Sequence, residues 1–201
     1  MNQAVKVNVD DRILVEQCRQ GNSTAAEHLI IKYQNRIYNV ILKICRNSDD
    51  AAELTQDTFV KIIQNIDKFE GRSSFYTWAF RIAVNLTLNY CKKSVNPRLR
   101  SIDAEYYENP KYTKQTLKAL LKDETLPDPA VVAANKELAG IIINAVWKLD
   151  DAHRAVVVLR DIEGMNYKQI AQILEINLGT VKSRLSRARS DLRKILEAAS
   201  K

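Results

Sequence analysis

The sequence predicts an all-α fold of two small helical domains joined by a flexible linker. Three observations carry that expectation. Apolar residues recur at three- and four-residue spacings over long stretches. Strand-type alternation is nowhere sustained. All four prolines, Pro97, Pro110, Pro127 and Pro129, fall between Ser94 and Ala130, where a helix cannot easily run through them. Domains are therefore expected at 1–95 and 129–201, with the linker at 96–128. At 201 residues in all, each half buries only a modest core.

The elements follow in order. Asp11 to Gln20 reads as a first helix stopped by Gly21, Ser23 to Arg46 as a second, Asp49 to Ile66 as a third, and Ser74 to Lys93 as a fourth that follows Gly71. Each opens on an Asp or Ser able to cap the free N–H groups of a first turn. From Lys92 to Lys122 the bases Lys92, Lys93, Arg98, Arg100, Lys111, Lys114, Lys118 and Lys122 outnumber Asp103, Glu105 and Glu108, and the linker holds one short helical pattern at Thr113 to Lys122. Its cations suit either a phosphate backbone or plain solvation. Beyond it come Ala130 to Trp147, Asp150 to Glu163, Tyr167 to Leu174 and Leu178 to Ala199, punctuated by Gly164 and Gly179. There is no internal repeat.

Lys and Arg total 31 against 24 Asp and Glu, a net charge of +7 that favours a polyanionic partner or simply marks a basic surface. No run of about eighteen apolar residues is present, and Met1 to Asp10 lacks the order of a secretory signal. A cytoplasmic protein without membrane insertion is expected. Cys18, Cys45 and Cys91 stand far apart and the two histidines are His28 and His153, so no metal site, cofactor or disulfide framework is expected, and each thiol should be buried in a helix face. Gly-rich phosphate loops, nucleophile elbows and HExxH pairs are absent, and no catalytic residues are assigned.

Chemistry concentrates first near the C-terminus. A short helix at Tyr167 to Leu174, a turn ending on Asn177, and a longer basic helix make a helix-turn-helix layout. At about 100° per residue, Val181, Leu185, Ala188, Leu192 and Ile195 share the inward side of that second helix. Lys182, Ser183, Ser186, Arg187 and Ser190 occupy the opposite side, with Arg184 and Arg189 at its shoulders. Long cations there can reach base edges or phosphates while small hydroxyls let the backbone approach a major groove. The segment LDDAHRAVVVLRDIEGMNYKQIAQILEINLGTVKSRLSRARSDL resembles region 4 of the sigma-70 family of transcription initiation factors. The resemblance implies duplex recognition of the promoter minus-35 element, with Lys182, Ser183, Ser186 and Arg187 at base-reading positions and Arg184 and Arg189 nearer phosphates. Asp150 and Asn177 stand where the family often has proline, and both can cap a helix start.

Two features mark the first half. Asp49, Asp50, Glu53 and Asp57 form an acidic run without an intervening base. The first two complement a helix dipole, whereas Glu53 and Asp57 lie too deep for that and suit a basic protein partner. In the stretch KFEGRSSFYTWAFRIAVNLTLNYCKK, Trp78, Arg81, Asn85, Asn89 and Lys92 fall on one helical stripe, flanked by Ala79, Ile82, Ala83 and Leu86 on one side and Phe80, Val84 and Leu88 on the other. Ring, guanidinium, amide and ammonium in a row offer stacking, base-edge bonds and phosphate contacts. Phe69, Glu70, Gly71, Arg72, Ser73 and Ser74 form a polar loop able to cradle an extruded base. An ordinary amphipathic helix with a buried Trp fits the same pattern.

This half resembles region 2 of the sigma-70 family through DDAAELTQDTFVKIIQNIDKFEGRSSFYTWAFRIAVNLTLNYCKK, and it is most similar to group 4, the extracytoplasmic-function members of the envelope-stress sigma-E type. What that implies is a non-catalytic specificity subunit whose partners are core RNA polymerase, through the β′ clamp and β flap, promoter DNA, and an anti-sigma factor. Asp50, Glu53, Leu54, Gln56, Asp57 and Phe59 would dock on the clamp coiled coil. Phe69, Gly71, Arg72, Ser73, Ser74, Trp78, Arg81, Asn85, Asn89, Lys92 and Lys93 would melt and read the minus-10 element, with Asn85 and Asn89 on base edges. Thr55 and Thr58 lie on the acidic helix, where phosphorylation would change its charge. A duplex-binding regulator and a polymerase-binding adaptor stay open as rivals from the residues alone.

Overall fold

The computed structural model describes residues 10–95 and 132–199, so the linker at 96–128 and its helical pattern at Thr113 to Lys122 lie outside the described residues. Helix α1 spans Asp11–Arg19, α2 Ser23–Cys45, α3 Ser48–Gln64 and α4 Phe75–Val95, with a 3₁₀ turn at Ile66–Lys68 before α4. Then come α5 at Val132–Trp147, α6 at Asp151–Val157 running into a π turn at Val158–Ile162, α7 at Tyr167–Leu174 and α8 at Leu178–Ala199. No strand occurs among the described residues.

The caps correct the expected helix starts. The side-chain carbonyl of Asn22 accepts from the N–H groups of Thr24 and Ala25, and that of Asn47 from Asp49 and Asp50, so α2 and α3 are capped by Asn22 and Asn47 rather than by Ser23 and Asp49. Asn satisfies the free first-turn donors as well as Asp or Ser does. Asp150 caps α6 as expected, and Asn166 closes a reciprocal capping box with Gln169 ahead of α7. The helix predicted to run unbroken from Asp150 to Glu163 instead widens, the Glu163 N–H reaching back to the Val158 carbonyl, and Gly164 at φ 70° ends it.

In the first half α2 is central and packs on α1, α3 and α4. Ile37, Ile41 and Ile44 of α2, Phe59 and Ile62 of α3, and Phe80 and Val84 of α4 are buried. Each such side chain stabilises the fold by roughly 1.5–3 kcal/mol. In the second half Leu159, Ile170, Ile173, Val181, Leu185 and Ala188 form the corresponding core.

The two halves also pack on each other. Helix α7 lies along α4, while α6 and the π turn rest on α2. Packed on α2, α3 and α7, α4 is apolar on two sides: Ala79 and Ala83 on one flank and Phe80 and Val84 on the other are all sealed. Arg154 is 1% exposed and donates to the Ile44 carbonyl at 2.6 Å, the Leu149 carbonyl at 2.5 Å and Asp151 at 2.9 Å. Its guanidinium thus sits where the C-terminal ends of α2 and α5, each carrying partial negative charge, converge. Burial and then Arg46 lower its hold on the proton, and Asp151 opposes them. Glu163 pairs with Arg36 at 3.3 Å and Glu175 with Arg81 at 3.9 Å, both across the halves.

Candidate nucleic-acid interfaces

The helix-turn-helix takes the expected form. Glu175 adopts the left-handed conformation at φ 54° to end α7, and the Asn177 side chain then accepts from the N–H and hydroxyl of Thr180 to start α8. Val181, Leu185 and Ala188 are buried, with Leu192 and Ile195 packed at the edge of the core. Lys182, Ser183, Ser186 and Arg187 are exposed on the other side and Arg184 is half-buried. Arg189 is exposed but not free to swing, because Asp161 of the π turn takes its Nε at 3.1 Å and its Nη2 at 2.5 Å. A groove of about 340 Å³ runs between Tyr167 and the Lys182, Ser186 and Arg189 side of α8. Arg160 covers the Tyr167 ring at 5.1 Å.

On α4 the expected stripe divides. Asn89 and Lys92 are exposed, and Arg81, Asn85 and Lys93 are half-exposed, so an accessible polar seam exists. Trp78 departs from its expected place as a stacking surface: it is 8% exposed, with its ring 5.3 Å from Phe69 and 5.9 Å from Phe75. Phe69 is buried in the same cluster, so neither ring has a free face for a base. They set the base of the loop instead. Above them Gly71 holds φ 72°, a conformation that strains any side chain. Arg72 and Ser74 are exposed and Ser73 is half-buried. Arg72 pairs with Glu70, and the Ser74 hydroxyl accepts from the Thr77 N–H to start α4. Arg19 of α1 donates to the Phe69 carbonyl and to that of Ile66, tying the loop root to the first helix.

The acidic face of α3 is narrower than expected. Glu53 is exposed, while Gln56 and Asp57 are half-buried. Asp50 accepts a bond from the Tyr90 phenol of α4, which with burial pushes that phenol up to about 12. Leu54 and Phe59, expected to face a partner, are 7% and 1% exposed and belong to the core: Phe59 lies opposite the acids, and Leu54, although next to Asp50 round the helix, is covered by neighbouring core residues. Thr55 and Thr58 are buried and bond the carbonyls of Ala51 and Leu54, which removes both from reach of modification.

The thiols are half-buried rather than fully so, and burial pushes those of Cys18 and Cys91 up to about 11. Among the described residues no cluster of His, Cys, Asp and Glu could hold a metal ion, and no helix is long and apolar enough to cross a membrane. Sequence reasoning missed Arg19, Arg154 and Asp161. Their partners lie 47, 110 and 28 residues away, so no local spacing signals them.

An all-helical chain with a polar seam on one half and a basic helix-turn-helix on the other is a two-part nucleic-acid-binding protein. Comparison narrows this: the Sigma-70 region 2 model matches residues 29–95 and the Sigma-70 region 4 model residues 140–192. The chain is 33% identical to the ECF RNA polymerase sigma-E factor of Haemophilus influenzae over 89% of its length and 91% of that protein's. It is 30% identical to the RNA polymerase sigma-H factor of Pseudomonas aeruginosa, covering 93% of this chain and 94% of that one. Among solved structures, CnrH in complex with the cytosolic domain of CnrY aligns at a TM-score of 0.64 and 26% identity, covering 94% of this chain and 97% of that one. RpoE in complex with the anti-sigma factor NepR from Bartonella quintana shares the fold at a TM-score of 0.61 and 22% identity, covering 85% of this chain and 95% of that one. The chain belongs to the sigma-70 family, in its ECF group, and directs RNA polymerase to promoters for transcription initiation.

Proposed function

We propose that the two halves, residues 1–95 and 129–201, divide promoter recognition between them. The carrying observation is that both polar faces reach solvent, Lys182, Ser183, Ser186 and Arg187 on α8 and Arg81, Asn85, Asn89 and Lys92 on α4. The α8 face reads the minus-35 duplex, with Arg184 and Arg189 toward phosphates. The loop at Gly71 to Ser74 and the α4 seam hold opened minus-10 bases, Asn85 and Asn89 on base edges and Arg81, Lys92 and Lys93 on phosphates. Unstacking a base costs a few kcal/mol, which binding of the extruded form offsets. Glu53 with Asp50 and Asp57 supports docking of α3 on the β′ clamp, and the second half meets the β flap. The factor makes and breaks no bonds itself. An anti-sigma factor is the expected regulator, supported by CnrH having been solved with the cytosolic domain of CnrY.

Run-off transcription tests this reading. Purified core polymerase should gain promoter-specific transcripts from a promoter library only when the protein is added. Sequence-specific duplex binding with no effect on polymerase would refute it in favour of a free-standing regulator.

A further inference from the structure

The surface between the halves carries its own pattern of charge. Arg36 and Lys43 lie seven residues apart on α2, on one face and about 10 Å along the axis. The Arg36 guanidinium rests 4.8 Å over the Tyr76 ring of α4 and donates through Nε and Nη2 to Glu163 at 3.4 and 3.3 Å. Lys43 also feels Glu163, which restores part of the proton affinity that burial removes. Arg81, the first cation of the seam, meets Glu175. Cations of the first half are thus met by carboxylates of the second.

That arrangement cannot persist on a promoter, given the function assigned above. Elements at minus 35 and minus 10 are about 25 base pairs apart by name, roughly 85 Å of duplex at ~3.4 Å per pair. Helix α7 packed on α4, with α8 packed in turn on α7, places the minus-35 reader about two helix spacings, roughly 20 Å, from the minus-10 seam. The halves must separate for both elements to be gripped at once, and separation strips Arg36, Lys43 and Arg81 of their carboxylates.

We propose that Arg36 and Lys43 form an anion site with two alternating occupants: the carboxylate of Glu163 in the closed chain, and promoter backbone phosphates once the halves separate. A carboxylate and a phosphate present similar oxygen pairs to a guanidinium fork, so one can stand in for the other. Arg36 rests on Tyr76 in the first turn of α4, so the site adjoins the helix that carries the seam. This deepens the reading of α4 as a minus-10 surface and rests on it.

The test is the salt dependence of promoter affinity for the complete holoenzyme. Removing one cation from a phosphate lowers the slope of log K against log salt by about 0.9 for duplex and about 0.7 for single strand. Arg36→Gln should reduce the slope by about that much, Lys43→Gln likewise, and Arg36→Lys should keep it. Arg36 is 55% exposed, so the neutral change leaves the core intact. Glu163→Gln should expand the free chain in small-angle scattering while leaving the holoenzyme slope at its wild-type value. A normal wild-type slope unchanged by Arg36→Gln would overturn the anion site alone, reducing Arg36 to a tie between the halves. A wild-type holoenzyme without promoter affinity would overturn the assigned function as well.

Discussion

The Nη1 of Arg154 lies 2.6 Å from the carbonyl oxygen of Ile44, a residue 110 positions earlier in the chain and in the other half of the molecule. The same guanidinium bonds Leu149 and Asp151, so one buried cation closes the end of α5 and the end of α2 together. Arg154→Ala leaves those carbonyls and Asp151 without their shared partner. The expected loss is about 3–5 kcal/mol, measured as the midpoint of urea unfolding. Arg154→Lys should recover only part of it, because a single ammonium cannot span the planar fork's partners.

Asn85 is half-exposed on the α4 seam and away from the aromatic cluster. Asn85→Ala should weaken minus-10 discrimination by about 1 kcal/mol, roughly fivefold, and spare affinity for core polymerase. Competition among promoter variants differing at minus 10 reads this directly; unchanged preference removes Asn85 from the base-reading set.

On the polymerase side, Glu53 is a cleaner probe than Asp57, since Asp57 is half-buried and charge reversal there would disturb packing as well. Glu53→Arg should lower affinity for core polymerase by several-fold while isolated minus-35 duplex binding stays within error. Equal co-purification of variant and wild type with core would move the docking face elsewhere.

Arg187 is exposed on α8, whereas Arg189 is anchored by Asp161. Arg187→Ala should cost about 1–3 kcal/mol of minus-35 affinity and relax specificity at one base pair. Asp161→Asn should instead weaken binding across all sequences, because it loosens a phosphate-directed side chain. Duplex binding to a panel of single-substituted sites separates the two effects.

Alkaline stability follows from half-buried thiols and from phenols held protonated by burial or, at Tyr90, chiefly by Asp50. Cys18 and Cys91 ionise at about 11 in the fold against 9.0 ordinarily, and Tyr76 and Tyr90 at about 12 against 10.0. Their contribution is intact below pH 9. Above it the unfolded chain releases protons first, so stability falls as pH rises from about 9 toward 12. Cys18→Ala should flatten that fall between pH 9 and 11 in denaturant midpoints, and a pH-independent midpoint would contradict the assignment.

Much of this protein is local and therefore legible in one dimension. Helical period alone placed Val181, Leu185 and Ala188 inward on α8 and left Lys182, Ser186 and Arg187 outside, because that helix has one partner face and one solvent face. The boundaries of α7 and α8 follow from turn and cap chemistry within a few residues. Period states which residues share a face, however, and not what that face meets. For that reason Trp78 and Phe69 could be read as open to bases and Leu54 and Phe59 as open to a partner, when each is sealed by residues contributed by other elements. Only tertiary packing, which brings α7 against α4 and Arg154 to the end of α2, decided that the two halves touch, since contacts between residues far apart in the chain leave no spacing to read.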